Sequence, residues 1–166
     1  MVNLLNLTAL VAGGTFLVTN FESQVMDLAF GSSINLTPVT VDSDNGGTNQ
    51  HWTFIPTGTT NQFIITNGLA GTFLSYATAQ VVNGVAPHAQ TVGSTGEATL
   101  WDLTPTDSTG TNVMFTEHTS GLFLTSWTGG VSPLTLELPE IATQQTFALT
   151  SASFLTDTVL LREAWS

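Results

Sequence analysis

Phe16-Leu17-Val18-Thr19-Asn20 returns 47 residues later as Phe63-Ile64-Ile65-Thr66-Asn67, and 50 residues after that as Val113-Met114-Phe115-Thr116-Glu117. A short turn and a second apolar run follow each copy. These are Ser23-Gln24 before Val25-Met26-Asp27-Leu28, Ala70-Gly71 before Thr72-Phe73-Leu74-Ser75, and Ser120-Gly121 before Leu122-Phe123-Leu124-Thr125. Each unit closes on an aromatic, in Gln50-His51-Trp52, Thr99-Leu100-Trp101 and Gln145-Thr146-Phe147, at spacings of 49 and 46 residues. Between the runs lie clusters of Gly, Asn, Asp, Ser and Pro, and helix signals are nearly absent before residue 150, so the chain reads as short strands joined by turns.

A period of about 48 residues with four strands per unit admits a propeller or a β-trefoil. Three units are too few for a propeller. Three four-stranded units can instead close a barrel and cap it with hairpins, which leaves no open sheet edge. The expected fold is therefore all-β: a β-trefoil of three four-stranded repeats with pseudo-threefold symmetry, at about 14–60, 61–110 and 111–150. Residues 1–13 form an N-terminal extension and 151–166 a C-terminal tail. Strands are expected near 14–20, 24–29, 37–41, 51–55, 62–67, 72–76, 80–86, 98–103, 112–117, 122–127, 133–138 and 145–150. Trp52, Trp101 and Phe147 should meet in one core.

Composition narrows the partners. The 166 residues are 42% hydrophobic, with ten Phe and four Trp, enough for one packed domain. Twelve Asp and Glu oppose a single basic residue, Arg162, for a formal charge of −11. That charge repels phosphate backbones and anionic headgroups, so neither nucleic acid nor membrane insertion is expected. Neutral partners such as glycans or glycoproteins suit it better. There is no Cys, which excludes disulfides and thiolate chemistry. The apolar stretch from Leu4 to Ala12 lacks a basic leader region and is too short to span a bilayer. The protein is expected in the cytoplasm or secreted without an obvious signal peptide.

Repeat one resembles the ricin-B-type β-trefoil lectins, the short fungal members above all. It carries Gly14-Thr15-Phe16, Asn20, Ser23, Met26-Asp27-Leu28 and Gly46-Gly47-Thr48-Asn49-Gln50-His51-Trp52. The match is good over 14–55 and only structural in kind over 61–150. What this resemblance implies is a lectin in which Asp27 is the sugar-binding carboxylate, Asn49 the amide and Gln50 a support for the fold. Asn45 stands where fungal relatives often carry His. The loop 38–45, where an aromatic is expected, holds none, and the turn before Asp27 is one residue shorter than the family pattern.

Such a site has a physical logic. A carboxylate accepts two charge-assisted hydrogen bonds from adjacent hydroxyls, an amide adds a donor and an acceptor, and an aromatic ring covers the sugar's apolar face. Ser75 and Thr125 take the place of Asp27 in the other repeats, which therefore lack the carboxylate. Tyr76 and Trp127 lie just beyond and are candidate stacking platforms. The bland reading of Asp27 is a carboxylate that holds a hairpin turn through backbone N–H groups.

Other chemistry has little to stand on. Asp42-Ser43-Asp44-Asn45-Gly46 superficially resembles a calcium loop, but its twelfth position is Thr53 rather than the bidentate Glu that geometry requires, so it reads as a polar hairpin loop. His51, His88 and His118 fall in different repeats without ligand spacing, and no metal or other cofactor is expected. No nucleophile motif occurs, and no catalytic residue is assigned. The sequence thus reads as a carbohydrate-binding lectin for neutral glycans and not as an enzyme. The alternative is a β-trefoil protease inhibitor directed at cysteine proteases or proteases of apolar specificity. Trypsin-like targets are disfavoured because Arg162, the one basic residue, sits in the tail. A homodimer through the terminal segments is a third expectation, since Val159-Leu160-Leu161 and Trp165 could pack on a second copy. Near-absence of trypsin sites would also suit a defensive role.

Overall fold

The computed structural model describes residues 12–79, 86–139 and 143–152. Most of the N-terminal extension and the tail beyond Ala152, with Arg162 and the pairing expected of these segments, lie outside the described residues. Repeat one supplies β1 (Thr15–Thr19), β2 (Val25–Leu28), β3 (Thr37–Asp42) and β4 (Trp52–Pro56). Repeat two supplies β5 (Gln62–Asn67), β6 (Phe73–Tyr76), β7 (Ala89–Val92) and β8 (Trp101–Pro105). Repeat three supplies β9 (Asn112–Glu117), β10 (Phe123–Thr125), β11 (Ser132–Pro133), β12 (Thr135–Glu137) and β13 (Phe147–Ser151).

Six strands close a barrel. Going round it, β1 pairs β4, β4 pairs β5, β5 pairs β8, β8 pairs β9, β9 pairs β13, and β13 returns to β1, all antiparallel. Three hairpins cap one end: β2 with β3, β6 with β7, and β10 with β12. They meet one another where β3 pairs β7, β11 pairs β3, and His88 bridges Thr135. This is the β-trefoil, with closure removing the edges that a 13-stranded sheet would otherwise expose.

Alternation along the strands places the core. Trp52 and Trp101 are wholly buried and Phe147 nearly so, and all three belong to one cluster with Val18, Phe54, Phe63, Phe115 and Leu124. Phe54 packs edge-on against Phe16 and Phe63, and Phe115 against Phe147, with ring centroids 5.5–5.9 Å apart. A buried indole needs a partner for its N–H. Trp52 Nε1 donates to the Met26 carbonyl at 2.9 Å, and Trp101 Nε1 donates to the Leu74 carbonyl at 3.0 Å, the same bond in successive repeats.

The turns repeat too. Asn20, directly after β1, and Asn67 and Glu117, at the ends of β5 and β9, accept backbone N–H groups two to four residues ahead. In repeats two and three that turn has Gly71 and Gly121 at φ 68° and 71°, while the shorter turn of repeat one puts Ser23 at φ 63°.

Among the described residues the strand that follows β6 is Ala89–Val92; of the strand expected at 80–86, residues 80–85 lie outside the described residues. The register Phe73↔Val92 through Tyr76↔Ala89 fixes its pairing with β6. The strand expected at 133–138 is split at Leu134. There the backbone turns from its own hairpin to the other two: its N–H donates to the Val39 carbonyl (3.1 Å), and its carbonyl accepts from Ala89 (2.9 Å). The expected starts at 98 and 145 move to Trp101 and Phe147, since a single 3-10 turn at Glu97–Thr99 and a turn at 143–145 come first.

Candidate functional site

The β2–β3 hairpin carries the site. Asp27 lies opposite Thr40, with Asp42 two residues further along the same strand, so the pleat puts all three on one face. An open cleft of about 490 Å³ covers this face and is lined by Asp27, Phe30, Thr40, Asp42, Asn45 and Asn49, with Ala29, Pro38 and Val131 at its apolar side.

Asp27 is only 6% exposed. One oxygen, Oδ2, accepts from Gln50 Nε2 at 2.8 Å and from Asn49 Nδ2 at 3.1 Å. Among the described residues Oδ1 has no hydrogen-bond partner, and it is left for the cleft. Burial pushes the Asp27 carboxyl above its ordinary value; the Gln50 bond opposes this, the Asp42 charge adds to it, and the Asn49 bond again opposes it. This carboxylate is therefore held by side-chain amides. It is not the turn-holding group of the bland reading.

Gln50 is fully buried and touches no ligand space. Its Nε2 also donates to the Ser43 carbonyl at 2.9 Å, and its Oε1 accepts from the Asn45 N–H at 2.9 Å. It staples the 43–45 loop to the carboxylate, a positioning role. Asn49 is half-buried beside Asp27. Asn45 is exposed at the rim, where its Oδ1 accepts from the Gly47 N–H at 2.7 Å. The neighbouring carboxylates are committed in the same local way: Asp42 accepts from the Ser43 N–H and Asp44 from the Gly46 N–H. Among the described residues no group of three His, Asp or Glu side chains could hold a metal ion.

Two expected platforms lie elsewhere. Tyr76 is 6% exposed and part of the core cluster, so it offers no open ring face, and its phenol is pushed up by burial and by the Glu117 carboxylate it bonds. Trp127 is half-buried, its Nε1 donating to Thr135 Oγ1 at 2.8 Å. Neither lines the cleft. Ser75 and Thr125 are buried and bonded locally, Ser75 to the Ala98 carbonyl and Thr125 to Phe123 and Gln145.

The open aromatic is Phe30, which the sequence reading missed. Period-two alternation from Asp27 puts Phe30 on the inward face with Leu28. Instead Phe30 adopts φ 57° and Gly31 φ 60°, and this left-handed pair swings the ring out to full exposure at the cleft. A non-glycine residue in that region is strained, and such strain collects at functional sites. Val131, 67% exposed, reaches the same cleft from repeat three. Its loop is tied to repeat one by Gln24 Nε2, which donates to the carbonyls of Gly129 (3.3 Å) and Gly130 (2.9 Å).

Residues 48–135, 88 of 166 and so just over half the chain, match the model of the family described as ricin-type beta-trefoil lectin domain-like. The matched stretch holds Asn49 and Gln50 but starts after Asp27 and Phe30. No curated protein matches the sequence. Among solved structures, the designed threefold-symmetric protein ThreeFoil is similar over 83% of this chain and 99% of its own, at 17% identity and a TM-score of 0.73. The Rhizoctonia solani agglutinin is similar over 84% and 95%, at 19% identity and a TM-score of 0.71. The Macrolepiota procera ricin B-like lectin, solved in complex with lactose, is similar over 84% and 96%, at 18% identity and a TM-score of 0.67. At such identities these likenesses speak for the fold alone. The extent of the family match decides the rest: the chain belongs to the ricin-type beta-trefoil lectin domain-like family.

Proposed function

We propose that the protein is a non-catalytic lectin that binds neutral glycans, free or on glycoproteins, in the repeat-one cleft. The observation that carries this reading is a buried carboxylate clamped by two amides, facing an open cleft beside a fully exposed aromatic. Asp27 accepts hydrogen bonds from adjacent sugar hydroxyls, Asn49 supplies a further polar group, and Phe30 stacks on the sugar's apolar face. Asp42 brings a second carboxylate and the lining contains no cation, so sialylated or sulfated glycans are repelled. The proposal extends to a fungal lectin with a defensive role, held in the cytoplasm or secreted. No observation favours protease inhibition.

Lactose is the first probe, being the sugar bound by the similar Macrolepiota procera lectin. Titration calorimetry with lactose and an array of neutral glycans should find at least one ligand. Asp27→Asn and Phe30→Ala should each weaken it about tenfold or more, equivalent to ~1.4 kcal/mol. An array on which no neutral glycan binds, or binding untouched by both substitutions, would overturn the reading.

A further inference from the structure

A second cleft, of about 480 Å³, opens on the barrel wall where β1, β13 and β9 run side by side, and it shares no residue with the first. The pseudo-threefold symmetry supplies its controls. Three equivalent ladders cross the barrel wall: Gln62↔Asp102↔Thr116, Thr15↔Thr53↔Thr66, and Asn112↔Ala148↔Thr19. Two residues beyond the last member of each stand His118, Gly68 and Phe21 respectively.

Two of these ladders are closed by their own polar groups. Asp102 accepts from Gln62 Nε2 at 3.1 Å and pairs with His118 Nδ1 at 2.7 Å. Thr15 and Thr53 join hydroxyl to hydroxyl at 2.8 Å. The third has Ala148 at its centre, which can close nothing. Asn112 turns away instead, its Nδ2 donating to Asp107 Oδ2 at 2.7 Å. Among the described residues its Oδ1 is then left without a partner. Phe21, 36% exposed, stands at the position of His118.

We infer that this third junction is a second ligand site, built for a neutral polyhydroxylated ring such as a pyranose. Phe21 offers the stacking face, Asn112 Oδ1 an acceptor, and Thr19, Thr106 and Thr143 line the cleft with hydroxyl-bearing side chains. Asp107 is held ionised by the Asn112 amide and by hydrogen bonds from Thr109 and Gly110, and the lining has no cation, so anions are excluded. The volume lies within the roughly 300–1,000 Å³ of small-molecule pockets. The inference goes beyond the repeat-one reading and does not depend on it.

The test is an amide NMR titration of the whole chain with lactose, methyl β-glucopyranoside and N-acetylglucosamine at millimolar concentrations. At least one sugar should shift the amides of Phe21, Asn112 and Ala148 saturably. Those shifts should survive Asp27→Asn, which disables only the first cleft, and disappear in Phe21→Ala. They should also disappear in Ala148→Asp, which installs the group found at residue 102; dispersed spectra confirm that each variant is folded. Silence of these amides towards all three sugars would overturn the inference. So would shifts that persist in both cleft variants or vanish in Asp27→Asn. Amides of Asp27, Phe30 and Asn49 report the first cleft separately, so each reading can fail without the other.

Discussion

Asp27 shows how much one residue depends on its surroundings. Its carboxylate is useful to a sugar only when ionised, yet burial raises its affinity for a proton. Two consequences follow, with opposite signs. Ligand binding should fade on acidification with a midpoint above the ordinary aspartate value, measurable by titrating lactose, or whichever neutral glycan binds, across the acid range. Stability should move the other way. Because the folded pKa exceeds the unfolded one, ionised Asp27 costs stability at neutral pH, and that cost disappears as pH falls between the folded and unfolded values. The melting temperature of the natural protein should therefore rise relative to that of Asp27→Asn on acidification. Trp52 makes a second residue-scale test. Trp52→Phe keeps a ring in the core but removes the bond to the Met26 carbonyl and leaves a gap, at a cost of about 1–3 kcal/mol in denaturant unfolding. Trp52 was legible in the sequence as a member of a repeated pattern, whereas Asp27 stood out only through the resemblance of repeat one, since Ser75 and Thr125 take its place in the other repeats. Phe30 was not, because periodicity cannot foresee a left-handed residue.

At the scale of elements, the turn after β2 governs the site. Gly31 has φ 60°, and a Cβ there would sit 2.6 Å from Leu69 Cδ2. Gly31→Ala should cost at least about 1–2 kcal/mol through the left-handed penalty alone. It should also weaken sugar binding by moving Phe30, and the thermal melt and the titration should change together. Retained affinity in a destabilised variant would mean that Phe30 takes no part in binding. The β2–β3 hairpin was legible from its turn residues and apolar runs. In repeat two the apolar pair Val81-Val82 suggests an earlier strand, and the register with β6 rather than local composition decides that β7 begins at Ala89. In the same way, β11 and β12 read as one strand until Leu134 is seen serving two other hairpins.

For the whole molecule, the three repeats share one interior, and none can bury its aromatics alone. Phe115→Ala, in repeat three, should destabilise the entire chain by about 3–5 kcal/mol. Unfolding followed by circular dichroism and by tryptophan fluorescence should remain a single coincident transition. Separate transitions would mean that the repeats are independent units. Triplication, strand content and the closing aromatics follow from the sequence by itself, because a repeated apolar pattern has only one economical way to hide its surface. The charge of −11, twelve acidic residues against Arg162 alone, is likewise read from the sequence, and with it the expectation that anionic partners are repelled. Tertiary structure alone decided where the clefts lie. Val131 reaches the repeat-one cleft from a loop of repeat three, and the second cleft is lined by Ala148, which stands where its equivalents are Asp102 and Thr53. Both arise from residues far apart in the chain that closure of the barrel brings together, and no local pattern encodes such a meeting.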